Sequence, residues 1–147
     1  MELNDRIEIE KLIFLYARSV DTAQWDNLRR LFDTAIVTAN RTDVRIEGGD
    51  AIADYWRDVN RTHANGTLNT HHVVTNLEFH EAADGTVLVK SAFTVFQATE
   101  LLPLQPIACG RYDDTFEKRD GAWRFRSKHI DVTLVGNMSQ HLTISLG

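Results

Sequence analysis

The chain changes character at Leu68. Before it, apolar residues recur at helical spacing. After it come four long strand candidates, at about 69–82, 86–99, 106–118 and 122–134. Asp84-Gly85 separates the first two and Asp120-Gly121 the last two; such dipeptides close tight hairpins because they tolerate the left-handed backbone the turn requires. The middle connection, Leu101-Leu102-Pro103-Leu104-Gln105-Pro106, holds two prolines and is expected to be irregular, since proline cannot donate to a ladder. Helices followed by an antiparallel meander define an α+β fold. The expected form is a cone-shaped α+β barrel, with N-terminal helices packed on a curved, mostly antiparallel sheet. A sheet curled under helices leaves a cavity suited to a small ligand.

The helical half divides into three pieces. Residues 3–20 place Leu3, Ile7, Ile9, Leu12, Ile13, Tyr16, Ala17 and Val20 at helical period. A second helix is expected over about 22–32, with Trp25, Leu28, Leu31 and Phe32 on one side, and a third over about 51–61, repeating Ile52, Tyr55, Trp56 and Val59. Short strands at 36–40 and 44–47 lie between them. With 147 residues and no linker, repeat or low-complexity segment, residues 1–147 read as one domain.

Several function classes are disfavoured. The formal net charge is −5 and the basic residues are scattered, which argues against a nucleic-acid partner. No run approaches the roughly 18 apolar residues of a membrane span, and Met1-Glu2-Leu3-Asn4-Asp5 lacks the apolar stretch of a signal peptide. The single cysteine, Cys109, excludes an internal disulfide and fits a reducing compartment. A cytoplasmic protein without a membrane anchor is expected. No zinc-type spacing or glycine-rich phosphate loop occurs, so neither a metal nor a cofactor is expected.

The candidate chemistry lies in Asn69-Thr70-His71-His72-Val73-Val74-Thr75-Asn76 and in Asp21, at the end of the first helix. Strand neighbours point to opposite faces, so only one of the two histidines can line the interior. His71 shares parity with Val73, Thr75, Leu77 and Phe79, the apolar set; His72 shares it with Val74, Asn76, Glu78 and His80. Parity nominates His71, and only a polar pocket wall or a bulge would turn His72 inward. Asp21-Thr22-Ala23-Gln24 also fits a capping box for the second helix. Tyr16, Tyr55, Trp56, Phe93 and Tyr112 are candidates for core or pocket lining, and Asn76 and His129 for polar pocket groups. Ala17, on the Asp21 face of its helix, would leave room for ligand.

Tyr16-Ala17-Arg18-Ser19-Val20-Asp21, Trp25-Asp26-Asn27-Leu28, Gly49-Asp50-Ala51-Ile52 and Thr70-His71-His72-Val73-Val74-Thr75-Asn76 together resemble the SnoaL-like proteins of the nuclear-transport-factor-2-like superfamily. The resemblance continues through Gly110-Arg111-Tyr112-Asp113-Asp114-Thr115-Phe116 and Asp120-Gly121-Ala122-Trp123-Arg124-Phe125, and so covers nearly the whole chain. Scytalone dehydratase and hexachlorocyclohexane dehydrochlorinase within that superfamily pair a helix-end aspartate with a strand histidine. The resemblance places the pair at Asp21 and His72, with His72 as general base and Asp21 holding its tautomer. It implies a cofactor-free lyase or isomerase, dehydratase- or cyclase-like, acting on a small apolar ring or polyketide-like molecule. Val20, Gly110 and Tyr112 depart from the dehydratase pattern, which argues against a scytalone-like substrate.

Leu134-Val135-Gly136-Asn137-Met138-Ser139-Gln140-His141-Leu142 resembles the closing segment of ring-hydroxylating dioxygenase small subunits. A non-catalytic subunit and a binding-only cup are therefore the alternatives. A sheet-to-sheet homodimer or higher oligomer is also expected, through an exposed apolar face drawn from Phe93, Val95, Ile107, Val132 and Leu134.

Overall fold

A computed structural model describes residues 1–146. The order of elements is α1 (Leu3–Asp21), α2 (Trp25–Leu31), β1 (Ile36–Ala39), β2 (Arg45–Glu47), α3 (Gly49–Val59), β3 (Thr70–Glu81), β4 (Val87–Thr99), β5 (Leu102–Arg119) and β6 (Ala122–Val135). The strands form one sheet in the order β2-β1-β6-β5-β4-β3. Every pairing is antiparallel except that of β1 with β6. No helix among the described residues is long and apolar enough to cross a membrane.

Helix α1 forms because Ile9, Ile13, Tyr16, Ala17 and Val20 recur on one buried stripe. Its start is held by a capping box between Glu2 and Asp5. The Asp5 carboxylate also accepts the Trp123 indole N–H at 2.8 Å and the Lys118 ammonium at 3.2 Å, fastening the helix to the β5–β6 hairpin. Helices α2 and α3 pack closely where Gly49 meets Arg29: a Cβ at Gly49 would sit 1.9 Å from the Arg29 carbonyl oxygen. That contact fixes how α3 lies beside α2.

Bulges bend the strands and decide which side chains face inward. In β3 the register passes from Thr75–Ala92 to Glu78–Lys90, and the inserted stretch puts Asn76 at φ 57°. Before the bulge Val74 packs against the core; after it Leu77 and Phe79 do. Strand β4 carries no such break along its centre and buries Val87, Val89, Ser91, Phe93 and Val95. Two bulges in β6, at its junctions with Cys109/Gly110 and Thr115/Phe116 of β5, complete the curl.

Two expectations need correction here. The stretch containing Pro103 and Pro106 is not a loop: it extends β5, with Gln105 opposite Gln97 and Pro106 opposite Phe96. It is tolerated because β6 reaches only to Ala108, leaving that part of β5 with a neighbour on one side and no second ladder for proline to break. The apolar outer face is also absent. Phe93, Val95 and Ile107 are buried and Val132 packs on the core, leaving Leu134, 66% exposed, as the outward residue of that set. The outer face instead presents Glu78, Lys90, Arg111, Asp113, His129 and Asp131 around an open polar depression.

Deep in the cone lies an ion pair with no counterpart in the sequence reading. Lys128 Nζ is 3.2 Å from Asp114 Oδ1, and the side chains are 1% and 0% exposed. The ammonium sits 3.4 Å from the centre of the Tyr112 ring and 4.2 Å from that of Tyr16. Burial pushes the Asp114 carboxyl up and the Lys128 ammonium down, each resisted by the other's charge. Such a pair contributes little net stability, yet losing one partner strands the other. Lys128→Met alone should therefore cost about 3–5 kcal/mol in denaturant unfolding, and Asp114→Leu a similar amount. The double variant should be more stable than either single one; a double no better than the worse single would show the two groups to be uncoupled.

Candidate active site

Asp21 closes α1 at the point where the helix meets the edge of the sheet. Because β3 is the terminal strand, one side of its backbone has no strand partner, and edge N–H groups need acceptors from elsewhere. The Asp21 carboxylate supplies them. It accepts the Thr70 hydroxyl at 2.7 Å and the His72 backbone N–H at 3.0 Å, while the Asp21 backbone carbonyl accepts the Leu68 N–H at 3.1 Å. The same carboxylate lies 2.5 Å from His72 Nδ1.

That contact sets the imidazole. An ionised carboxylate only accepts, so Nδ1 carries the proton and Nε2 is the nitrogen left free of Asp21. The His72 side chain is 7% exposed and that of Asp21 14%. Burial alone would raise the Asp21 carboxyl; the hydrogen bonds and charge of His72, with Thr70, prevail and hold it below the ordinary carboxylate range.

His72 lines an apolar cavity of about 130 Å³ between the helices and the inner sheet face. An apolar cavity near 150 Å³ accommodates benzene, so the size fits one six-membered ring. Tyr55 and Trp56 of α3 form one wall and Phe93, Val95 and Tyr112 the sheet side, while Tyr16 reaches in from α1. Phe93 stacks on Tyr112 at 4.3 Å and 11°. Gly110 permits this, since a Cβ there would lie 2.7 Å from the Phe93 ring and 2.1 Å from the Asp131 carbonyl oxygen. Burial pushes the Tyr16 and Tyr112 hydroxyls up, so both remain protonated and able to donate. The C-terminal segment covers the cavity with Met138, His141, Leu142, Ile144 and Leu146.

The structure thus brings together Asp21, His72, Tyr16, Tyr55, Trp56, Phe93 and Tyr112 of the residues expected from sequence. It separates three. Asn76 occupies the β3 bulge and lines the outer depression instead. His129, next to inward-facing Lys128, also faces that outer depression, with Nδ1 2.7 Å from the Thr38 hydroxyl. Ala17 is buried and lies outside the cavity, yet beside an adjoining recess that Asp21 and His72 also line. The capping reading of Asp21 fails as well: α2 begins after Gln24, no side chain caps it, and the Gln24 amide donates to the Thr22 carbonyl. Missed from sequence were His141 and the Lys128–Asp114 pair, because neither carries a local signal; proximity arises only from the strand register and the path of the last residues. Among the described residues no three His, Cys, Asp or Glu side chains gather as a metal set.

The helix-roofed cone, with a histidine–carboxylate pair in its wall, is a cystatin-like, nuclear-transport-factor-2-like fold. The chain belongs to the SnoaL-like domain family, whose profile matches residues 1–129. No curated protein matches the chain. Among solved structures it is similar to LinA, with 20% identity over 91% of this chain and 89% of that one and a TM-score of 0.71. It is also similar to Aln2 from a Streptomyces species, with 19% identity over 90% and 93% and a TM-score of 0.73. ActVI-ORFA from Streptomyces coelicolor aligns at 12% identity over 88% and 97% with a TM-score of 0.72. At these identities the likeness is one of fold.

The Asp21 contacts predict a pH-dependent contribution to stability. Its folded carboxyl titrates below its unfolded value, so on acidification the unfolded chain takes the proton first. Relative to Asp21→Asn, the wild type should be more stable by about 1.5–3 kcal/mol at neutral pH, as for hydrogen bonds to a charged group. The difference should shrink as pH falls below about 4. A difference independent of pH would assign the effect to shape rather than charge.

Proposed function

We propose that this protein is a lyase or isomerase in which His72 Nε2 removes a proton from carbon of a small, largely apolar ring. Asp21 holds the Nδ1–H tautomer and stabilises the imidazolium formed when Nε2 takes the proton. Tyr16 and Tyr112, both protonated, supply donors that can polarise an oxygen of the bound molecule. The observation that carries this reading is the 2.5 Å contact between Asp21 and His72 Nδ1, with His72 in the wall of the apolar cavity. A merely structural histidine at a sheet edge would need neither a buried carboxylate on one nitrogen nor a place in the wall of a ring-sized apolar cavity.

The cavity volume narrows the substrate. About 130 Å³ suits a monocyclic compound rather than a fused polycycle.

Carbon-bound proton exchange of small cyclic ketones, alcohols and halides in D₂O, followed by proton NMR, tests the proposal without knowledge of the natural substrate. Wild-type protein should accelerate exchange or elimination for at least one compound. His72→Ala and Asp21→Asn should each reduce that rate by about 10²–10⁴-fold, the usual worth of general-base assistance. Full activity in either variant would rule out the pair as the base. Saturable binding of a ring by the wild type without exchange or elimination would favour a binding-only cup.

A further inference from the structure

His72 is not the only imidazole in the cavity. His141 arrives from the opposite direction, on the segment after β6, and its ring centre lies 6.0 Å from that of His72 at an interplanar angle of 61°. It is 5% exposed and lines the same apolar space as Tyr16, Trp56 and Tyr112.

The backbone around His141 is fixed. Its carbonyl accepts the Arg61 N–H at 2.8 Å, and its N–H donates to the Met138 carbonyl at 3.0 Å. The preceding Gln140 carbonyl accepts from the buried Gln97 amide and from His63 Nε2, each at 2.9 Å. Two residues on, the Thr143 N–H donates to the Val59 carbonyl at 2.8 Å. A side chain held from both sides in this way is presented to the cavity rather than dangling over it.

The ring itself is left without a partner for its buried nitrogen. Nδ1 is enclosed by protein and makes no hydrogen bond. Burial above all, then the nearby His72, pushes the titration of His141 down to about 3, against the pull of Asp21 and with a further push from His63. The ring is therefore neutral, with one proton for two nitrogens. An orphaned buried N–H is the rarer and costlier defect, so the proton belongs on Nε2, where the cavity can offer an acceptor. His72 and His141 then face the same space with opposite roles: a lone pair on one, an N–H on the other.

We propose that His141 is a substrate-contacting donor that binds an oxygen on the ring, so that the site takes a cyclic ketone or its hydroxy equivalent rather than a bare or halogenated hydrocarbon. The inference deepens the general-base reading of His72 and rests on it for the reaction, but not for binding. With a ketone, His72 Nε2 takes a proton from the carbon next to the carbonyl. The C–H electron pair becomes the carbon–carbon double bond of an enolate, and the carbonyl π pair moves onto oxygen, where the His141 N–H meets it. Returning a proton to carbon restores the ketone, so the step is balanced without any co-reactant.

Cyclohexanone and methylcyclohexane, matched in size and differing in the oxygen, are the probes. Wild-type protein should bind cyclohexanone in preference, and the ¹⁵N signals of the His141 ring should move with cyclohexanone and not with methylcyclohexane. His141→Phe should lower cyclohexanone affinity by about five- to tenfold, leave methylcyclohexane binding unchanged, and slow α-proton exchange by about 10²-fold, as for loss of one oxyanion donor. Unchanged exchange and unchanged preference in a folded His141→Phe variant would overturn the proposal while leaving His72 as base. Should that variant fail to fold, the wild-type ¹⁵N measurement decides alone: a His141 signal indifferent to cyclohexanone overturns it. If wild type shows no exchange, the base reading fails for this ketone, and the binding ratio and ¹⁵N shifts still decide the role of His141.

Discussion

The end of α1 meets an open strand edge, and a single carboxylate makes that junction. Thr70 and the His72 backbone both need an acceptor there, and Asp21 satisfies them from the last position of the helix. The same oxygen atoms set the imidazole, so the contact that docks α1 also orients the His72 ring. A helix C-terminus is an unfavourable place for negative charge, at about 0.3–1 kcal/mol against the dipole. The donors gathered around the carboxylate offset that cost. The site is thus built into the contact that docks α1 on the sheet, and the histidine inherits the rigidity of both.

Much of this was legible in the chain. Helix positions followed from the periodicity of Ile9, Ile13, Tyr16 and Val20, and the hairpins from Asp84-Gly85 and Asp120-Gly121. What periodicity could not show was where a strand changes face. Counting by twos from the apolar pair Leu77 and Phe79 selects His71, yet the bulge at Asn76 inverts the count and turns His72 inward. Residues beyond a bulge therefore mislead about residues before it. Asn76 and His129 fail as pocket groups for related reasons: one is the bulge itself, and the other neighbours a lysine that faces inward. The prolines of β5 misled because a sheet can be two-sided along most of a strand and one-sided at its end.

The floor of the cavity answers to a different constraint. Lys128 and Asp114 sit opposite one another in the β5–β6 register, so the pair is dictated by strand alignment and invisible along either strand alone. Tyr112 and Tyr16 touch the ammonium on one side and the cavity on the other. Their rings act as the partition between a buried charge and an apolar space. This arrangement places two protonated phenols and a buried ammonium group along one side of the apolar cavity.

The pairing of β1 with β6 has a consequence in time. Ile36 lies against Ser127 and Ala39 against Ile130, partners some ninety residues apart in the chain. Loop closure over that distance is an entropic barrier that local helix formation cannot lower. During synthesis, the apolar stripes of α1 and α3 emerge well before the strands they are to cover, and β1 waits without its neighbour. The cavity roof comes later still, with residues 138–146. The enclosed cavity is therefore the last feature this chain completes as it folds, and its nascent forms expose the apolar surface that lines it in the finished protein.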